Sequence, residues 1–136
     1  MRNTWLDVGE WRRRLPRILD HNGNLDYDYG QCVDVLNNWA VHNGIPEAWG
    51  NAIDLDYSSS CDFIDNAPTN VPVAGDMVIW NGFPADARYG HCAVALHGCN
   101  MYKLRAESQD FPYGSDLGPV IFTYEGVKGW WHRRPH

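Results

Sequence analysis

The sequence predicts an α+β protein in which N-terminal helices pack on an antiparallel β-sheet. Two patterns carry this. Up to Asn43-Gly44 the apolar positions recur at helical spacing, interrupted by loop signals, whereas from Val71 onward short apolar runs alternate with Gly-, Asn- and Asp-containing turns. Helices first and hairpin-linked strands afterwards mark segregated helix and sheet, not alternating βαβ units. The length of 136 residues suits one hydrophobic core, so residues 1–136 are expected to form a single domain.

Asn3 or Thr4 is a candidate cap for a first helix running through about Leu15, with Trp5, Val8, Trp11 and Leu15 on one apolar face before Pro16 interrupts it. His21-Asn22-Gly23-Asn24 reads as a loop. A second helix starts near Gln31, carries Val33, Leu36, Trp39 and Ala40 inward, and stops at Asn43-Gly44-Ile45-Pro46. Residues 47–70 are loop-rich and fit neither a helix nor a strand pattern clearly. Within them Asp54, Asp56, Ser58, Ser60, Asp62 and Asp65 fall at EF-hand-like offsets, but Ser59 stands where the sharp turn needs glycine and Asp65 where a glutamate is usual, so an ordinary polar loop is expected. Pro72-Val73-Ala74-Gly75-Asp76 reads as a turn into a strand Met77–Trp80, buried on both faces. Further strands are expected at His91–Leu96, Tyr102–Glu107, Val120–Tyr124 and Gly129–His132.

The net charge of −6 argues against nucleic acid as a partner, and no apolar run is long enough to cross a bilayer. Residues 18–87 hold eleven Asp and Glu and no Lys or Arg, either a solvated acidic surface or a region that holds a cation. Cys32, Cys61, Cys92 and Cys99 form no CxxC pair. A Cys92–Cys99 bridge across strand ends is one option and two buried thiols the other.

The stretch Asp26-Tyr27-Asp28-Tyr29-Gly30-Gln31-Cys32-Val33-Asp34 places a cysteine in the first turn of a helix, where unpaired N–H groups and the helix dipole favour a thiolate. Period-two alternation puts His91, Ala93, Ala95 and His97 on one strand face and Cys92, Val94 and Leu96 on the other. The small alanines leave room for the Cys32 helix to pack on the His91 face, so that thiol and imidazole meet. Glu107 and Gln109 share a parity and are candidates to reach the far ring nitrogen of His91, fixing its tautomer. Trp80 and Tyr89 flank these strands, as core or as groove.

Tyr29-Gly30-Gln31-Cys32-Val33-Asp34, Pro72-Val73-Ala74-Gly75-Asp76-Met77-Val78-Ile79-Trp80, Gly90-His91-Cys92-Ala93-Val94 and Glu107-Ser108-Gln109, in that order, resemble the CHAP family of cysteine- and histidine-dependent amidohydrolases/peptidases, over about residues 3–135. The resemblance implies a papain-like fold and hydrolysis of an amide or peptide bond in bacterial peptidoglycan through a thioester. It makes Cys32 the nucleophile, His91 the base, Glu107 the orienting acid and Gln109, where the family usually has Asn, a further polar partner. Asp76 matches a turn aspartate with a structural role. The Cys32 backbone N–H would serve as one oxyanion donor and Tyr29 or Gln31 as the second.

The chemistry so implied needs no cofactor. Some members hold Ca²⁺ through acidic residues beside the cysteine. Asp26, Asp28 and Asp34 match in type, although the segment between Asp28 and Cys32 is shortened, and the same carboxylates could instead orient the loop or cap the helix. A phage-type lysin catalytic domain is expected, monomeric, made in the cytoplasm without a signal peptide and acting on the cell wall, or else a domain of a larger secreted or virion protein. A wall-binding domain would be separate or missing. The alternative is a non-enzymatic metal- or wall-binding module using His91, Cys92, His97 and Cys99 for Zn²⁺, which strand parity disfavours.

Overall fold

The computed structural model describes residues 3–16, 31–110 and 116–135. Among these residues, two helices, α1 (Val8–Arg13) and α2 (Cys32–His42), and a 3₁₀ turn (Ala52–Asp54) precede or flank six strands: β1 (Cys61–Asp65), β2 (Met77–Trp80), β3 (His91–Ala95), β4 (Leu104–Ser108), β5 (Gly118–Phe122) and β6 (Val127–Arg133). The strands form one sheet in the order β1-β6-β2-β3-β4-β5, every neighbouring pair antiparallel. This is the α+β, papain-like arrangement that the sequence predicts.

α1 starts later than expected. Its cap is Asp7, whose carboxylate accepts the N–H groups of Gly9 (2.9 Å) and Glu10 (3.3 Å). Asn3 and Thr4 instead tie the N-terminal segment to the sheet's periphery, donating to the carbonyls of Ala74 and Arg133. α2 begins where predicted. The Asp34 carboxylate accepts the Gln31 N–H at 2.8 Å, half of a capping box, and Gly44 at φ 75° ends the helix.

The sheet has two differently filled faces. Cys92, Val94, Met77 and Ile79 turn toward α2 and bury Val35, Leu36, Trp39 and Ala40 against them. Trp39 anchors this layer: its ring packs 4.8 Å from Trp11 and 5.7 Å from Trp5, and its indole N–H donates to the Gly75 carbonyl at 2.7 Å. On the other face Ala93, Ala95 and Ala106 lie among Val78, Trp80, Trp130 and Leu104. The alanines therefore make room for the indoles of neighbouring strands, and α2 packs on the opposite face from the one that the sequence suggested.

Residues 47–70 contain a strand that the sequence reading missed. β1 pairs with β6 as an edge strand, and only Cys61 of its five residues is buried. The polar residues nearby have ordinary backbone roles. Asp54 accepts the Asn51 N–H and Asp56 the Ser58 N–H, as in polar turns. Asn37 of α2 locks the preceding segment in place, bonding both backbone groups of Ala48 and accepting from the Tyr57 hydroxyl at 2.7 Å.

Asp76, at the turn before β2, is almost fully buried. Its carboxylate accepts the Trp5 indole N–H at 2.8 Å and the Val73 N–H at 3.0 Å, and meets His132 Nδ1 at 2.7 Å. It thus joins the N-terminal segment, the turn and β6, a structural role consistent with its place in the motif. None of the described helices is long and apolar enough to cross a membrane.

Candidate active site

Cys32 is the first residue of α2, and α2 lies across the start of β3. It packs against the core cluster that holds Cys92, and the Cys92 and His91 side chains both favour its thiolate. Cys92 contributes most to the lowering, followed by His91. Together they hold the Cys32 thiol well below its ordinary range, against the opposing effect of burial. The other three cysteines go the opposite way: burial pushes Cys61 up to about 12 and raises Cys92 and Cys99 as well. Cys32 is also half-buried, whereas Cys92 is closed to solvent. One of four thiols is thus both reachable and disposed to ionise.

Adjacent residues on a strand point to opposite faces, yet both His91 and Cys92 lower the Cys32 thiol pKa. Cys92 lies in the α2-side core, and His91 is the first residue of β3, directly after Gly90. Gly90 makes that entry possible. Its φ is 73°, and a Cβ there would lie 2.3 Å from Ile53 Cγ2 and 2.4 Å from the Trp80 carbonyl oxygen. The His91 ring then rests on aromatic neighbours, 5.1 Å from Trp80 and 6.1 Å from Phe122. Trp80 is accordingly a buried support for the imidazole. Tyr89 is exposed, with the Arg88 guanidinium 5.1 Å from its ring centre.

The group that meets the far side of His91 is Ser108. His91 Nε2 lies 2.9 Å from Ser108 Oγ, and both residues are buried. This follows from register. Val94 faces Glu107 and Ala95 faces Ala106 across β3 and β4, so Glu107 lies on the α2 face and Ser108 on the His91 face. Glu107 and Gln109 do share a parity, and the register puts Glu107 on the face away from His91. The Glu107 carboxylate instead pairs with Arg12 of α1 at 3.0 Å. Gln109 donates from Nε2 to the Gln31 carbonyl at 3.0 Å, tying the end of β4 to the residue before the nucleophile candidate. Counting parity from His91 across the hairpin register would have pointed to Ser108.

Asp34 caps α2, while Asp26, Asp28 and Tyr29 lie outside the described residues. Among the described residues no group of three or more His, Cys, Asp or Glu is arranged to hold a metal ion. This applies to the zinc set too. Cys92 belongs to the α2-side core, and Cys99 packs on the opposite face, its sulfur donating to the Leu96 carbonyl and accepting the Arg105 N–H. The same separation rules out a Cys92–Cys99 bridge, and both thiols are free.

A cysteine at a helix start, its thiol pKa lowered by an imidazole from the strand on which that helix packs, makes a candidate thiol–imidazole site. The CHAP domain model matches residues 21–100, and the chain belongs to this family. Among solved structures, a wild-type endolysin, LysIME-EF1, has a similar fold, with a TM-score of 0.73 at 22% identity. The match covers 93% of this chain and 61% of that one, so the chain spans about three fifths of the endolysin's length. No curated protein sequence matches.

Proposed function

We propose that the protein is a peptidoglycan hydrolase that cleaves an amide or peptide bond through a cysteine thioester. The observation that carries this reading is a Cys32 thiol whose pKa His91 helps to lower, in a CHAP family chain. The Cys32 thiolate attacks the scissile carbonyl carbon, and His91 delivers a proton to the departing amine. Water, deprotonated by His91, then attacks the thioester and frees Cys32. The Cys32 backbone N–H lies in the first turn of α2, where intrahelical partners are lacking, and suits the developing oxyanion.

Ser108 acts as a positioning residue. Accepting the proton on Nε2 leaves Nδ1 as the nitrogen that faces the thiol. Gln109 positions the start of α2, and Glu107 fixes α1 to β4 through Arg12. Exposed Trp49, Phe83 and Tyr89 sit on the two loops that converge at Gly90, and aromatic faces of this kind suit glycan or stem-peptide contact.

A Ca²⁺ ion held by Asp26, Asp28 and Asp34 is a separate proposal, supported by residue type and by position beside Cys32, and it enters no step of the chemistry. A phage-type lysin, monomeric and directed to the wall by a binding module elsewhere, fits the partial coverage of the endolysin. Digestion of purified walls of known chemistry, with mass spectrometry of the fragments, tests the reading. New amino termini in the stem or cross-bridge identify an endopeptidase, and free muramoyl carboxyl groups an amidase. Unaltered walls would refute both.

A further inference from the structure

The loop that leads into His91 carries a permanent cation. Between residues 18 and 102 Arg88 is the single Lys or Arg, and residues 18–87 hold eleven Asp and Glu. Arg88 stands three residues before His91, so the two Cα atoms lie within about 11 Å of each other even if the chain between them is extended. The loop is held at both ends. The Tyr89 and Gly90 N–H groups donate to the Asp86 carbonyl at 3.2 and 2.7 Å, and the Tyr89 carbonyl accepts the Ile53 N–H at 3.2 Å.

The Arg88 side chain is exposed and yet fixed. Asp86 Oδ1 accepts the Arg88 backbone N–H at 2.8 Å and Nε at 3.2 Å, while Oδ2 accepts Nη2 at 2.9 Å. The guanidinium lies over the Tyr89 ring, 5.1 Å from its centre, and the side chain keeps 76% of its surface open. An ion pair this exposed adds little to stability; what it does is orient the fork. A guanidinium has five N–H donors, and Asp86 takes one on Nε and one on Nη2. Among the described residues the other three, two on Nη1 and one on Nη2, have no acceptor. Nη1 and Nη2 together form the end-on fork that matches the two oxygens of a carboxylate.

We propose that Arg88 is a specificity-determining residue that binds a carboxylate of the peptidoglycan stem peptide close to the scissile bond. The identity of the ligand rests on the peptidoglycan-hydrolase reading; the preference for a carboxylate rests on the fork. An extended peptide advances about 3.3–3.6 Å per residue, so a carboxyl group within about three residues of the scissile bond falls in the span between His91 and Arg88. A free carboxylate offers the fork two equivalent anionic oxygens. A primary carboxamide offers one neutral oxygen and turns its own N–H donors on those of Arg88. Because Asp86 and Tyr89 already hold the guanidinium, little side-chain freedom is lost on binding. The Asp86 charge opposes a second carboxylate, which limits affinity and leaves the discrimination to geometry.

The test uses two soluble muropeptides that differ only in having their stem carboxyl groups free or as primary carboxamides. Binding is read by titration calorimetry and turnover by release of new amines, for the unmutated chain, Arg88→Ala and Arg88→Lys. The unmutated chain is expected to bind the free-carboxyl form about tenfold more tightly, with a lower KM and a similar kcat, as one charge-assisted contact allows. In Arg88→Ala the ratio between the two forms falls to near one. In Arg88→Lys, which keeps the charge without the fork, it lies between. A merely structural loop residue would weaken both forms alike and leave the ratio intact; that result overturns the proposal. So does equal binding of the two forms by the unmutated chain, whether or not they are cut. If the free-carboxyl form binds more tightly through Arg88 and neither form is cut, the hydrolase reading fails and the carboxylate site stands. If both are cut with equal KM, the hydrolase reading stands and the site fails.

Discussion

Ser108 Oγ lies 2.9 Å from His91 Nε2, and both side chains are closed to solvent. A hydroxyl thus meets the ring where an acid or amide was expected. Ser108→Ala should lower kcat roughly tenfold with KM little changed, since a buried hydrogen bond contributes about 1–1.5 kcal/mol. Steady-state kinetics on soluble wall fragments measure this. An unchanged kcat would show that Ser108 does not position the base.

The thiol's ionisation can be followed without substrate. Alkylation of Cys32 by iodoacetamide should be slow below its depressed pKa, rise as pH passes through it and level off above. The midpoint should lie well below the range of a free thiol, about 8.5. Cys92→Ala and His91→Ala each remove a group that favours the thiolate, so each should move the midpoint up. The same depression contributes folding stability that is complete above the unfolded thiol's pKa and lost as pH falls through the folded value.

Arg12 and Glu107 should behave as a structural pair. Arg12→Ala and Glu107→Gln are expected to destabilise by similar amounts, and the double variant by less than their sum, with a coupling of about 1 kcal/mol. Urea unfolding of the four proteins gives that number. If Glu107→Gln instead cuts kcat far more than Arg12→Ala does, the carboxylate acts on the imidazole during the reaction.

Much of the site was legible in the sequence because its residues sit at element boundaries. Cys32 follows a helix start that Gln31 and Asp34 define, and His91 follows a glycine that its backbone angle requires. What escaped was decided by packing. Ala93 and Ala95 read as space for a helix, but Trp80 and Trp130 fill that space from within the sheet. Ser108 was passed over between two better ligands because register, not chemistry, selects it. Strand β1 is an edge with Asp at two of its five positions, so it lacks the apolar run that marks a buried strand. The cap of α1 carried a usable signal, Asp7 with Glu10 three residues later, which the earlier Asn3 and Thr4 obscured.

Calcium is testable apart from the chemistry. After EDTA treatment, Ca²⁺ should raise the melting temperature where Mg²⁺ at equal concentration does not, because a flexible set of carboxylate oxygens suits the larger ion. Asp28→Asn should weaken the response. An identical melting curve with and without Ca²⁺ would remove the ion from the account.

The most direct measurement compares Cys32→Ala with the unmutated protein on purified Gram-positive walls, scoring release of new amines while circular dichroism and melting temperature verify the fold. The account predicts a folded variant with no detectable release, since no other thiol is both half-exposed and lowered in pKa. Release at the unmutated rate from the folded Cys32→Ala protein would contradict it.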